Sequence, residues 1–306
     1  MYLETLLKSL VEMFLLIALG FFIRKRNLVD ESTVSDVSSV LLSVILPFSF
    51  LASGGESCTS EQMRNVGLSF VIISLYYILA FAVSIVFFRI TVKDEEKRVA
   101  CVNMSVFANT SFIGIPLAKV TFGAEGVIYA VVYNLVYNVF MFTLGVRLFD
   151  KSRKSVKETL KDMFLDPLSI SSVAAIILFL LPWKLPSVIQ NFLTVTGDIS
   201  TPLSMMIIGS WLVGIDIRKI LMRGTSYLVA IMRLVVLPLL VYLMLLPFHL
   251  DDALVGTVIL LSAVPVGALN VFLSEKYGRD RAFVNETMLL TLCLSLVTIP
   301  LVAMIL

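Results

Sequence analysis

Apolar runs of about 20 residues, separated by short polar loops, fill the chain almost end to end. This pattern restricts the fold more than any other feature. A helix needs about 20 mostly apolar residues to cross the hydrocarbon core of a bilayer. Ten runs are read, at 5–23, 34–53, 66–90, 99–121, 125–148, 166–182, 190–214, 226–247, 253–275 and 283–305. The longest polar stretch, 150–166, is only a loop, so no soluble domain is expected beside the bundle. Composition agrees, with 58% hydrophobic and 15% charged residues, where a soluble domain carries about 25% charge. Too little polar surface remains to cover a water-soluble globule. An ordinary soluble enzyme and a disordered chain are excluded. A net charge of +2 gives nucleic acid no basic surface to bind. The fold class is therefore an all-α polytopic membrane protein, with the lipid bilayer as its solvent.

Little enzyme chemistry is left. Cys58, Cys101 and Cys293 lie far apart with no C-x-x-C spacing and read as free thiols. His249 is the single histidine, so clustered His ligation is impossible and no metal site is expected. No HExxH, GxSxG or Walker A sequence is present. The protein is read as no enzyme, with no cofactor and no ATP-driven step. The N-terminus lacks a basic n-region and a small-residue cleavage site, so no removable signal peptide is expected.

Lys and Arg collect on the cytoplasmic side of membrane proteins. Nineteen of the 24 lie in the loops after spans 1, 3, 5, 7 and 9, the densest being Arg147 to Lys161. Lys8, Arg64, Lys119 and Lys184 are the few on the other side. Arg233 falls inside span 8 and reads as snorkelling toward cytoplasmic headgroups. Both termini are therefore expected outside, and the alternation supports an even number of spans.

A shift of 155 residues brings several motifs into coincidence. Pro47-Phe48-Ser49 falls on Pro202-Leu203-Ser204, Gly54 on Gly209, and Phe122-Gly123 on Tyr277-Gly278. Spans 1–5 (residues 1–150) then correspond to spans 6–10 (residues 151–306). Five is odd, so the halves insert with opposite topology, the inverted repeat of secondary transporters.

Spans 4 and 9 carry helix breakers and amides near their centres. The fourth reads Ala108-Asn109-Thr110-Ser111-Phe112-Ile113-Gly114-Ile115-Pro116, and the ninth Ala263-Val264-Pro265-Val266-Gly267-Ala268-Leu269-Asn270. Pro116 and Pro265 are read as the breaking residues, since proline lacks a donor and clashes with the preceding turn. Irregular backbone at that depth is tolerated where it is buried in protein or lines a wet cavity. The second half of a broken helix begins with free N–H groups and roughly half a positive charge. Two such ends at the midplane would bind an anion without a basic side chain in lipid. Pro47 and Pro202, each followed by small residues, read as helix packing rather than ligand contact.

These residues resemble the auxin efflux carrier family, which includes plant auxin exporters and bacterial permeases. Ala18-Leu19-Gly20-Phe21-Phe22-Ile23-Arg24-Lys25-Arg26 through Leu46-Pro47 looks like the family's opening. Asn109-Thr110 through Gly114-Ile115-Pro116-Leu117, and Val264-Pro265-Val266-Gly267 through Asn270, look like its fourth- and ninth-helix signatures. The resemblance implies ten helices in two inverted five-helix repeats, with broken helices 4 and 9 crossing. It implies elevator-like alternating access, helices 1, 2, 6 and 7 as scaffold and 3–5 with 8–10 as the transport domain. Family substrates are carboxylates, auxin in plants and dicarboxylates for bacterial members. Bacterial relatives commonly have Gly where this chain has Ser111, and the long loop of plant exporters is missing. A bacterial cytoplasmic-membrane permease is thus implied rather than an auxin carrier. Relatives are often dimers, so a homodimer is the implied assembly.

The expected substrate is a small organic anion, held by Asn109, Thr110, Ser111, Gly114, Pro265, Gly267 and Asn270. Asn109 leads, because an amide offers donors and an acceptor. Asn270 is read as either a helix cap or a cavity residue. Asn134 and Asn138, one turn apart, suit interhelical hydrogen bonds or support of the site. Glu12 and Asp198 are candidates for a coupling proton, although Asp198 also reads as a helix cap. Asp251 and Asp252 read as N-caps, as does the 285–286 pair. The coupling ion, proton or sodium, stays open. Two alternatives remain: a non-transporting sensor or scaffold with this fold, and a different ten-helix 5+5 metabolite exporter with unbroken helices 4 and 9.

Overall fold

The computed structural model describes residues 2–55, 60–149, 167–181, 185–213, 223–248 and 250–304. Cys58, Lys184, Arg218, Lys219, His249 and the basic loop at 150–166 lie outside the described residues. Every regular element among the described residues is helical. In chain order these are α1 (Tyr2–Lys25), α2 (Glu31–Gly54), α3 (Ser60–Thr91), α4 (Glu95–Val106), α5 (Thr110–Phe149) and α6 (Pro167–Leu180). Then follow α7 (Ser187–Trp211), α8 (Gly224–Leu245), α9 (Asp252–Ala263), α10 (Leu269–Lys276) and α11 (Arg281–Ala303). Six of the helices are long and apolar enough to cross a membrane, and α6 and α9 are shorter apolar helices.

Helix starts follow the acidic residues in the loops. Asp30, Asp94, Asp251 and Asp280 each accept from backbone N–H groups two or three residues on, satisfying donors that a first turn leaves open. Asp251 is thus the cap of α9, and Asp252 its first residue. Glu286 is no cap; its carboxylate pairs with Arg223 Nε at 2.8 Å, while Asp280 caps α11. Three prolines inside helices follow π-turns, Pro47 after Leu41–Ile45, Pro116 after Thr110–Gly114 and Pro238 after Met232–Val236. The wider turn absorbs the clash a proline makes with the preceding turn. Gly123 interrupts α5 at φ 63°, and Gly278 follows α10 at φ 63°. Both need the left-handed region, where a side chain would be strained, and they stand 155 residues apart.

Contacts divide the chain into two compact units. The first comprises Met1–Ser69, Ser111–Leu135 and Leu165–Ile215. Within it α1 packs along the second half of α7, and α2 packs on α6 and on the first half of α7. Gly54 lies against the backbone of Ala175, and Gly209 against that of Ile17, so closely that a Cβ would overlap main chain. These small residues serve packing with α6 and α1. The second unit comprises Phe70–Thr110, Val136–Phe164 and Asp216–Leu306. Here α8 and α11 flank α9, and α4 packs on α8 and α11. Large apolar side chains face outward, among them Val71, Ile78 and Ile85 at seven-residue spacing on α3. In water that stripe would be a liability; in lipid it is the solvated face.

Candidate functional site

The centre of the second unit is irregular backbone. Helix α4 stops at Val106, and Phe107 is extended at φ −98°, ψ 100°. Helix α9 stops at Ala263, and Val264 is extended at φ −73°, ψ 153°, the conformation favoured before a proline. The two extended pieces meet as an antiparallel bridge between Ala108 and Val266. Asn109 N donates to Pro265 O at 2.8 Å, and Gly267 N donates to Phe107 O at 3.1 Å. Gly267 is needed for this approach, since a Cβ there would sit 2.6 Å from the Ala108 carbonyl oxygen. Two polar side chains finish the satisfaction of the buried backbone. Thr291 Oγ1 accepts from Val266 N at 3.1 Å. Asn270 Nδ2 donates to Phe107 O and Gly267 O, both at 3.0 Å.

Arg233 completes the arrangement, and its place differs from the snorkelling position expected from sequence. It is fully buried. Its Nε donates to Val264 O at 2.9 Å. Its Nη1 reaches Ser105 O at 2.9 Å, Val106 O at 3.1 Å and Tyr76 Oη at 3.3 Å. Its Nη2 reaches Ser262 O at 2.6 Å and Leu261 O at 3.2 Å. The guanidinium thus takes up carbonyls at the C-terminal ends of both α4 and α9, which a helix end leaves without intrahelical partners. The opposing half charge of each helix end makes this a favourable place for a cation away from headgroups. Sequence alone offered one signal, a basic residue seven positions inside an apolar run; burial and partners required the fold.

The sequence-derived residues fall as follows. Asn109, Thr110 and Asn270 are buried in the second unit, beside the crossing. Asn270 acts as a tie between the two extended segments, and its Oδ1 is buried without a hydrogen bond. Pro265 and Gly267 are the crossing itself. Pro116 lies inside α5, past the π-turn Thr110–Gly114 that ends with the buried Gly114. The break falls earlier, at 107–109, where no proline stands. In the first unit Ser111 Oγ lies 3.5 Å from Asn134 Oδ1, the outer limit of a hydrogen bond. Asn134 and Asn138 are buried. Asp198 ends the first half of α7 and pairs with Lys119 Nζ at 2.6 Å, both side chains partly exposed. Glu12 is exposed on α1. Cys101 and Cys293 are free thiols.

Comparison with known proteins agrees with a membrane-embedded transporter. Residues 5–162 and 152–303 match a family described as membrane transport protein. An uncharacterized transporter of Methanocaldococcus jannaschii is 25% identical over 301 residues, covering 94% of each chain. An uncharacterized transporter of Methanothermobacter thermautotrophicus is 24% identical over 306 residues, covering 99% of this chain and 98% of the relative. The chain therefore belongs to the auxin efflux carrier-like membrane transport family.

Proposed function

We propose that the protein is a secondary transporter of a small organic anion, a carboxylate, in the cytoplasmic membrane. The observation that carries this reading is the hydrogen-bonded crossing of two interrupted helices, with Asn109, Thr110 and Asn270 buried beside it. New helices begin just past the crossing, at Thr110 and Leu269. Their first N–H groups point a partial positive charge at the crossing and suit a carboxylate. The unpartnered Asn270 Oδ1 is an acceptor, which suits a hydroxyl beside that carboxylate, as in a hydroxy-dicarboxylate. Interrupted fourth and ninth spans speak against the rival exporter fold, which keeps them continuous.

The mechanism follows from the same reading. In this reading ten helices form two inverted repeats, with both termini outside because the basic loops face the cytoplasm, helices 1, 2, 6 and 7 as scaffold and the rest as transport domain. The anion docks at the crossing, and the transport domain slides along the scaffold to open the site on the other side. A proton or sodium gradient, or the substrate's own, supplies the driving force. Carboxylate uptake into proteoliposomes tests the site. Asn109→Ala should lower uptake by about tenfold or more, one lost charge-assisted hydrogen bond being about 1.5–3 kcal/mol, and Pro265→Ala should lower it by removing the residue that holds the backbone extended at the break. Unchanged uptake in both variants would sink the assignment.

A further inference from the structure

We propose that Arg233 is the resident cation of the crossing, filling a carbonyl pocket that would otherwise call for a bound inorganic ion. The pocket is made by the chain itself. Five carbonyl oxygens, of Ser105, Val106, Leu261, Ser262 and Val264, converge within 2.6–3.2 Å of the guanidinium nitrogens. A ring of carbonyls at two helix C-termini is the arrangement in which membrane proteins coordinate cations. Here a fully buried side chain occupies it. A guanidinium keeps its proton in proteins and presents five donors in a fixed fork, which matches carbonyls arriving from two separate helices. Lysine would offer one compact charge on a flexible stem and hold fewer of them.

The electrostatic consequence deepens the anion reading and rests on it. Each helix end carries about half an elementary charge. The two C-terminal ends of α4 and α9 are cancelled by Arg233, and the two N-terminal ends beyond the crossing stay uncancelled. The midplane is then left with a positive balance of about one charge, without an inorganic ion bound there. Arg233 is thus a positioning residue: it holds the geometry and sets the field through five carbonyls and the Tyr76 hydroxyl.

Emptying the pocket should turn it into a cation site. Purified Arg233→Ala protein is unfolded thermally with guanidinium, sodium or choline chloride at equal millimolar concentration. Guanidinium should raise its Tm by about 3 °C over choline, while the wild type shows no such difference. A variant whose Tm responds to no small cation more than the wild type does would overturn the proposal. If Arg233→Ala yields no folded protein, Arg233→Lys and Arg233→Met separate charge from bulk. Lys should keep a folded protein of higher Tm than the uncharged Met variant, and equal Tm values would overturn it too. No substrate enters these measurements, so a failed transport assay would count against the anion reading and leave this one standing.

Discussion

At the scale of single residues, the crossing depends on groups that hold backbone rather than on charged ligands. Gly267 has no room for a methyl group against Ala108, so Gly267→Ala should destabilise by about 1–3 kcal/mol through overpacking. Thr291→Val removes the acceptor of a buried N–H on Val266 and should cost about 1–3 kcal/mol. Both are read from thermal unfolding in detergent. Asp30 behaves differently, since its environment is polar and open. Hydrogen bonds from the Thr33 side chain and backbone, then from Ser32, hold its carboxyl at about 2, below the ordinary 3.8. The folded-state value is the lower one, so its contribution is complete above the ordinary value and is lost as pH falls toward 2. Asp30→Asn should therefore differ from wild type in Tm at neutral pH, and the gap should close as pH drops below about 4.

At the scale of elements, the sequence marks where helices run better than where they stop. Six helices among the described residues are long and apolar enough to cross a membrane, and each overlaps at least one of the apolar runs, because hydrophobic length is a strong, local signal. The break in the ninth run is legible in Val264-Pro265, which dictates extended backbone. The break in the fourth is not. It occurs at Phe107–Asn109, before the π-turn and well before Pro116, because pairing with Pro265 and Gly267 fixes it and local propensity does not. Long-range partners also explain Arg233, whose carbonyls come from residues far away in sequence. Gly123 and Gly278, matched by the 155-residue shift, share one left-handed conformation. The pairing of Lys119 with Asp198 joins α5 to the middle of α7. Both groups are partly exposed, so the pair is worth no more than about 1 kcal/mol. Asp198→Asn should shift Tm little, and the exchange Lys119→Asp with Asp198→Lys should recover whatever uptake each single change loses. Failure of the exchanged pair would show that Asp198 has a duty beyond this contact.

At the scale of the whole molecule, the scarcity of charge is a working property. With 15% charged residues, the chain keeps most basic groups outside its apolar runs, and among the described residues Arg233 is fully buried. That guanidinium serves two helix ends at once. In the proposed reading the remaining helix ends face the anion, with the buried Asn109, Thr110 and Asn270 beside them. Membership of the transport family is shown by matches across nearly the full chain; the anion and its route are the proposal. The most direct test is a cryo-EM structure with the carboxylate that stabilises the protein most in a thermal-shift screen. Density for that carboxylate beside Asn109 and the first turn of α10 is the expected result. Density elsewhere, with the crossing of Ala108 and Val266 unliganded, would contradict it.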